Sequence, residues 1–257
     1  MGTDERIPCR LHNNDNVEAA LTNTVALIHT SPVVVPAFTA LGKQFLDGVE
    51  LFHMVDESLI RETIRAGRLE KRTVLRLVKH IESAGMAGAD AVLVTCSSVG
   101  PAIPVARLLF DFPVLRIDER MAERAVGMGS RIGVIATLGT TLEPTVGLIG
   151  DTAAQMGRQV EINSCLCAGA FEAVLKGDTD THDRIVTRHL LELAGSVDVI
   201  VLAQASMARV ADSIPRETSR VPVLSSPALA MAQVREVLDA LSLSKTAPAD
   251  GSRETAQ

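Results

Sequence analysis

A thiol and three hydroxyl groups stand side by side in the segment T-C-S-S at 95–98, directly after a run of apolar, β-forming residues. A cysteine between a strand and a helix, here predicted to begin near 101–104, meets backbone N–H groups and the positive end of a helix dipole, and both lower its pKa. The neighbouring Ser97 and Ser98 add donors that suit a carboxylate. We therefore interpret Cys96 as catalytic and both serines as substrate-binding. The alternative is a buried cysteine that packs as a small hydrophobic residue.

A second stretch, 197–207 (V-D-V-I-V-L-A-Q-A-S-M), resembles 89–99 (A-D-A-V-L-V-T-C-S-S-V) residue by residue. In this copy Gln204 lies opposite Cys96, and Ser206 supplies a hydroxyl group nearby. A glutamine amide forms hydrogen bonds but cannot relay a proton at neutral pH. We include Gln204 in the predicted catalytic pair as a hydrogen-bonding partner, and Ser206 as a substrate-binding residue.

Eight short apolar runs alternate with longer amphipathic stretches, such as 70–84 and 182–195, in which apolar residues recur at spacings of three and four. Continuous apolar runs are typical of parallel strands that are buried on both faces. The pattern predicts an α/β fold with right-handed crossovers. The predicted strands are 24–29, 49–55, 90–95, 113–117, 131–136, 159–165, 198–203 and 222–225.

The strands of the two halves match in order at a nearly constant offset: Val25 matches Ile132, 107 residues later, and Val49 matches Val160, 111 residues later. This order indicates an internal duplication, although buried parallel strands resemble each other in any α/β protein. We predict two similar lobes, each a mainly parallel four-stranded sheet flanked by helices, related by a pseudo-twofold axis. The predicted ranges are 20–127 for the first lobe, 128–227 for the second, 228–242 for a helix that packs back on the first, and 1–19 and 243–257 for flexible termini.

Ligands of such sheets bind beyond the carboxyl ends of the strands, so we expect one cleft between the lobes, walled by equivalent strand ends. Small hydroxyl residues follow the first strand of each half and suit a bound carboxylate. Their alternative role is ordinary capping of the helices that follow. The residues assigned to substrate binding on this basis are Thr30, Ser31, Thr137, Thr140 and Thr141.

The composition argues against several classes of partner. The net charge is −6, and Trp and Tyr are absent, so binding of nucleic acid is not expected. No apolar run is long enough to span a bilayer, and the polar start lacks the apolar region of a secretory signal. We predict a cytoplasmic protein that does not associate with membranes.

Other candidate residues point to structural roles. His53 lies near the end of the second predicted strand and could be an acid or base, but we favour a structural role because second strands usually lie one position away from such a cleft. Cys165 and Cys167 form a C-x-C pair that would need two further ligands to hold zinc, and His182 and His189 lie too far apart for a typical zinc motif. We predict no metal site, and no nucleotide-binding or flavin motif is present.

The chain resembles the cofactor-independent aspartate/glutamate/hydantoin racemase superfamily over about 22–235. Four segments carry the resemblance: T-C-S-S, G-V-I-A-T-L-G-T-T, V-L-A-Q-A-S-M and V-P-V-L-S-S-P. The resemblance implies two α/β lobes with the active site between them, no cofactor, a small carboxylate substrate and a possible homo-oligomer. It also implies two cysteines that face each other across the substrate α-carbon; the first matches Cys96, and Gln204 stands where the second is expected.

Three functions within the family therefore stay open from the sequence, beside the alternative of an unrelated α/β hydrolase or redox protein, for which neither a triad motif nor a C-x-x-C motif is present. The first is a family enzyme that acts at the α-carbon of a small carboxylate with one thiol, including racemisation assisted by another acid or base. The second is an altered reaction of the isomerase or decarboxylase type. The third is a family member that binds carboxylates without catalysis.

Overall fold

The structure is a computed structural model that describes residues 22–213 and 221–246. The predicted flexible segment 1–19 and most of 243–257 lie outside these ranges. Within the described ranges, no helix is long and apolar enough to cross a membrane.

The chain forms two four-stranded sheets in which every strand pair is parallel. All eight predicted strands are confirmed, each within two residues of its predicted ends. The first sheet has the order β2-β1-β3-β4 and the second β6-β5-β7-β8. The bounds are β1 Thr24–His29, β2 Glu50–Val55, β3 Ala91–Val94, β4 Val114–Arg116, β5 Arg131–Ala136, β6 Glu161–Leu166, β7 Val199–Leu202 and β8 Val223–Ser225.

Helices cover both faces of each sheet, as the amphipathic stretches predict. In α3, for example, the buried positions Thr73, Leu77, Ile81 and Ala84 recur at spacings of four, four and three. Short 3-10 turns follow three strands at 32–34, 97–102 and 205–207. The helices in the described ranges are α1 Val35–Phe45, α2 Glu57–Ala66, α3 Lys71–Met86, α4 Ile103–Arg107, α5 Glu119–Met128, α6 Gly139–Gln155, α7 Ala170–Leu175, α8 Thr179–Ala194, α9 Ala208–Ser213 and α10 Ser226–Thr246.

The two sheets repeat each other in detail as well as in order. Asp90 precedes β3, and its Oδ2 accepts a hydrogen bond from the backbone N–H of Thr24 at 2.9 Å. Asp198 precedes β7, and its Oδ2 accepts the equivalent bond from Arg131, also at 2.9 Å. Matching aspartates therefore link the starts of matching strands in the two lobes.

The last helix belongs spatially to the first lobe. The predicted helix 228–242 extends over Ser226–Thr246. It buries Met231, Val234 and Leu238 in the same apolar cluster as Val25 and Leu27 of β1. Helix 226–246 thus completes the core on one face of the first sheet.

A buried arginine joins the two lobes. Arg116, at the end of β4, pairs with Asp118 through Nε–Oδ1 at 2.6 Å and Nη2–Oδ2 at 3.1 Å. Its Nη2 also donates to the carbonyl oxygen of Pro144 in α6 at 3.2 Å. Both charged residues are buried, so the ion pair is shielded from water. Gly100 makes room for the guanidinium, because a Cβ at that position would lie 2.3 Å from Arg116 Nε.

We expect Gly100→Ala to lower the free energy of unfolding by about 2 to 4 kcal/mol, because the new methyl group displaces a buried, paired guanidinium. The measurement is urea unfolding followed by circular dichroism. Gly150→Ala in α6 is the matched control: its Cβ meets nothing within 4 Å, so we expect a gain of about 0.5 to 1 kcal/mol. Equal stability of Gly100→Ala and the wild type would contradict the packing of Arg116.

Candidate active site

The strand order determines where a cleft forms. In each sheet the second strand of the lobe lies on one side of the first strand, and the third strand lies on the other side. In sheets of this type, ligands bind at the carboxyl ends of the first and third strands, where the order switches. Thr30 and Cys96 follow these two strands in the first lobe, and Thr137 and Gln204 follow them in the second. The predicted catalytic pair therefore occupies equivalent positions in the two sheets.

The Cys96 side chain is half-buried, and hydrogen-bond donors lie around its thiol. Hydrogen bonds from the Thr30 side chain, from Ser98 and from the Val99 backbone favour the thiolate, but burial is the larger effect and raises the thiol pKa. The lowered pKa expected from the sequence is therefore wrong. The reason is local: a 3-10 turn over Ser97–Ala102 follows the cysteine, and the α-helix after it has only five residues, so the helix dipole is small.

Gln204 is held in one orientation by Thr137. Its Oε1 accepts hydrogen bonds from the Thr137 backbone N–H at 2.6 Å and from the Thr137 hydroxyl at 2.8 Å. A backbone N–H can only donate, so the atom facing it must be the amide oxygen and not the nitrogen. The Nε2 group points the other way, and within the described ranges it has no hydrogen-bond partner.

Two hydrogen bonds close the base of the cleft between the lobes. Ser97 Oγ donates to the carbonyl oxygen of Ala203 at 3.3 Å, and Ser98 Oγ lies 2.8 Å from Thr141 Oγ1. Cys96 directly precedes Ser97, and Gln204 directly follows Ala203, so the predicted catalytic residues flank the first of these bonds. Both serine hydroxyl groups thus connect the lobes.

The other predicted binding residues fall into two groups. Ser31 caps the 3-10 turn that follows it, because its Oγ accepts a hydrogen bond from the Val33 backbone N–H at 3.4 Å. This contact is the capping role that the sequence left open. Thr140 lies in the first turn of α6, and its Oγ1 is buried with no partner among the described residues. Ser206 is half-buried in the 3-10 turn after Gln204. Of these three, only Thr140 has a buried hydroxyl left for another donor or acceptor.

A histidine pair that the sequence analysis did not assign to the site supports the wall of the first lobe. His29 Nδ1 lies 2.7 Å from Thr95 Oγ1, and His29 Nε2 lies 2.8 Å from His53 Nδ1. His53 Nε2 in turn lies 3.0 Å from Thr39 Oγ1. A histidine at the end of a continuously apolar strand is the signal that could have identified His29. The strand register pairs His29 with Val55 and not with His53, so the contact between the two rings depends on their side-chain orientations.

The hydrogen bonds of this pair run in one direction. Thr39 Oγ1 donates to the Val35 carbonyl at 2.9 Å, so it accepts from His53 Nε2–H. His53 Nδ1 then accepts from His29 Nε2–H. The single proton of the Thr95 hydroxyl is shared between His29 Nδ1 at 2.7 Å and the Ile28 carbonyl oxygen at 3.1 Å. Both rings are neutral in this arrangement. Burial lowers the pKa of His29 to about 4, reinforced by the repulsion between the two rings when both are protonated, and burial lowers the pKa of His53.

These features define a two-lobed α/β protein in which duplicated parallel sheets contact each other beside the strand ends that carry Cys96 and Gln204. The chain belongs to the Asp/Glu/Hydantoin racemase family, whose sequence model matches residues 28–234, and the resemblance found in the sequence is thereby confirmed. No curated protein matches the sequence.

Solved structures share the fold at low sequence identity. Allantoin racemase from Klebsiella pneumoniae has a TM-score of 0.62 and 18% identity, covering 86% of this chain and 89% of its own. Aspartate racemase from Picrophilus torridus has a TM-score of 0.63 and 16% identity, covering 83% and 94%. A glutamate racemase isoform from Bacillus anthracis has a TM-score of 0.68 and 16% identity, covering 86% and 83%. At this identity the likeness establishes the fold.

We expect Cys96 to be alkylated more slowly than free cysteine at pH 7, because its raised pKa leaves less thiolate. The rate with iodoacetamide, measured residue by residue with mass spectrometry, should keep rising with pH beyond the range where free cysteine levels off. Restricted access of the reagent slows alkylation without moving this pH range. The midpoint of the pH dependence therefore distinguishes a raised pKa from restricted access. A midpoint at or below that of free cysteine would contradict the assignment.

We expect the stability of the fold to fall on acidification through His29. Its pKa is about 4 when folded and about 6.5 when unfolded, so the unfolded state binds more protons between these values. Stability is full above the unfolded pKa and is lost as pH falls toward 4, by about 2 kcal/mol between pH 7 and pH 5. Urea unfolding at both pH values should show a smaller loss for His29→Asn than for the wild type, whereas equal losses would rule out this origin.

Proposed function

We propose that this protein is a cofactor-independent enzyme of its family that transfers a proton at the α-carbon of a small carboxylate, with Cys96 as the thiol acid/base and Gln204 in place of a second cysteine. The observation that carries the proposal is the pairing at equivalent strand ends. Thr30 follows β1 and lies close enough to Cys96 to favour its thiolate, and Thr137 follows β5 and donates to Gln204 Oε1 at 2.8 Å. The two lobes thus present a proton donor and an amide from matching positions.

Gln204 has the role of binding negative charge. Its oxygen is occupied by Thr137, so the Nε2–H groups are the part of the amide that can meet a ligand. Such a donor stabilises a substrate carboxylate, or the enolate oxygen that develops when the α-carbon becomes a carbanion. The free Thr140 hydroxyl in the first turn of α6 supports a second contact with the same anion.

The state of Cys96 supports proton delivery as its role. Because burial raises its pKa, the resting form at neutral pH is the thiol, which can donate a proton to a carbanion at once. The thiolate left behind is then met by hydrogen bonds from Thr30, Ser98 and Val99. Addition of a resting thiolate to a double bond is less favoured by this environment.

With a single thiol, a proton can be delivered to the α-carbon from one side only. In a two-cysteine arrangement a proton can leave on one side and arrive on the other, but Gln204 cannot take or return a proton. The carbanion must therefore arise by another step, such as loss of carbon dioxide or proton removal by water. We infer that protonation occurs from the Cys96 side, so that one enantiomer is formed in excess. We also propose that the enzyme is cytoplasmic and works without a cofactor.

The test is a screen of small carboxylates and substituted malonates in deuterium oxide, with deuterium incorporation at the α-carbon followed by NMR. We expect Cys96→Ala to lower the rate by about a hundred- to ten-thousand-fold while the circular dichroism spectrum is unchanged. Gln204→Cys should add exchange of both enantiomers, because it restores a proton-transferring group on the second wall.

The control is Cys165→Ser, which removes a thiol that packs in a different cluster of the second lobe and should leave the exchange rate unchanged. Full activity of Cys96→Ala would remove this thiol from the mechanism. Tight binding of a carboxylate with no exchange or turnover across the screen would favour the binding protein instead.

A further inference from the structure

Two cysteines and a histidine meet in the second lobe at a place that the proposed reaction does not use. Cys165 lies near the end of β6, and Cys167 follows the strand by one residue. Residues two apart in an extended chain point to the same face, and here that face is covered by α8, which carries His189. The ligand atoms of the three residues all lie within 4.8 Å of one another.

We propose that Cys165, Cys167 and His189 form a zinc site. Two thiolates and one imidazole are a donor set that favours Zn²⁺ over the hard cations Mg²⁺ and Ca²⁺, which prefer oxygen. Tetrahedral Zn²⁺ takes four ligands, and the fourth position here is filled by water. Binding releases the two thiol protons to solvent, so the ion and the paired thiolates leave no net charge in the cluster.

The hydrogen bonds of His189 already favour the form that binds a metal. Arg188 Nη2 lies 3.2 Å from His189 Nε2, and a guanidinium can only donate, so Nε2 carries a lone pair. His189 Nδ1 therefore carries the hydrogen, which it donates to Glu192 Oε2 at 3.0 Å. A carboxylate behind the second ring nitrogen is the usual support of a zinc-bound histidine, because it fixes the tautomer and the ring orientation.

The burial of the three residues suits an ion that enters from one side. Cys167 is fully buried, while Cys165 is half-buried and the His189 side chain is 21% exposed. The Arg188 guanidinium lies near enough to influence both thiols, and its side chain is 64% exposed. This arginine can move into solvent when a cation replaces it beside the sulfur atoms.

The site is separate in role from the cleft. Cys167 belongs to the apolar cluster with Val186 and Leu190 of α8, and Cys165 packs against that cluster. The backbone N–H of Cys167 donates to the Ala136 carbonyl at 2.8 Å, so the end of β6 is held to β5. An ion bound here would fasten α8 to the edge strand β6, and the reaction at Cys96 would not require it.

The first measurement uses the reduced full-length protein, freed of metal and titrated with Co²⁺. Tetrahedral thiolate coordination gives a strong visible absorption and a sulfur-to-cobalt charge-transfer band, which six-coordinate cobalt lacks. We expect both bands to saturate at one ion per chain and to disappear when Zn²⁺ is added. Zn²⁺ should also raise the thermal midpoint of unfolding and protect Cys165 from alkylation.

The variants separate this site from other thiols and histidines. His189→Asn and Cys165→Ser should each weaken zinc binding by about a hundred-fold or more, and Glu192→Gln by about ten-fold. Cys96→Ser is the matched control and should bind zinc as the wild type does. Because His189 is partly exposed, His189→Asn is expected to fold normally without metal, which circular dichroism verifies.

Three results would overturn the proposal: no charge-transfer band with Co²⁺, zinc affinity unchanged in His189→Asn and Cys165→Ser, or a loss of affinity in Cys96→Ser equal to theirs. These outcomes do not depend on turnover. Failure of the proposed reaction would leave them unaffected, and failure here would leave the role of Cys96 open to its own test.

Discussion

The joint between the lobes depends on one buried guanidinium. Arg116 ends the last strand of the first sheet, pairs with Asp118 before α5, and donates to the carbonyl of Pro144 in α6. Burying a charge is costly unless it is paired and fully hydrogen-bonded, so this arrangement tolerates few relative positions of the two sheets. The hydroxyl contact between Ser98 and Thr141 lies on the same joint. The cleft is therefore a consequence of how the sheets are fastened as well as of their folds.

The duplicated fold could be predicted because its signal is local and repeated. Each strand is a short apolar run, and the offsets between the halves persist in the structure: β1 and β5 begin at Thr24 and Arg131, 107 residues apart, and β2 and β6 begin at Glu50 and Glu161, 111 apart. The parallel arrangement then brings Cys96 and Gln204 to equivalent ends, as the sequence predicts. No tertiary information is needed for either step.

The parts of the site that could not be predicted all depend on tertiary contacts. The direction of the Cys96 pKa follows from how much water the folded chain excludes, which the motif T-C-S-S does not specify. The serines beside it were assigned to the substrate, but their hydroxyl groups bond to the other lobe. His189 follows Cys167 at a spacing that matches no common motif, and the packing of α8 against the second sheet brings them together.

The two hydrogen bonds to Gln204 Oε1 fix the orientation of the amide and also shift its electron distribution. Two donors on one oxygen draw electron density toward it, and hydrogen bonds that share a conjugated group strengthen one another in this way. The Nε2–H groups at the other end consequently become more acidic in character and stronger as donors. The energy needed to align the amide has been supplied during folding, so little reorganisation remains when a negative oxygen arrives. In the proposed function, a side chain that cannot exchange protons is thus prepared to stabilise charge, which a free glutamine in water does poorly.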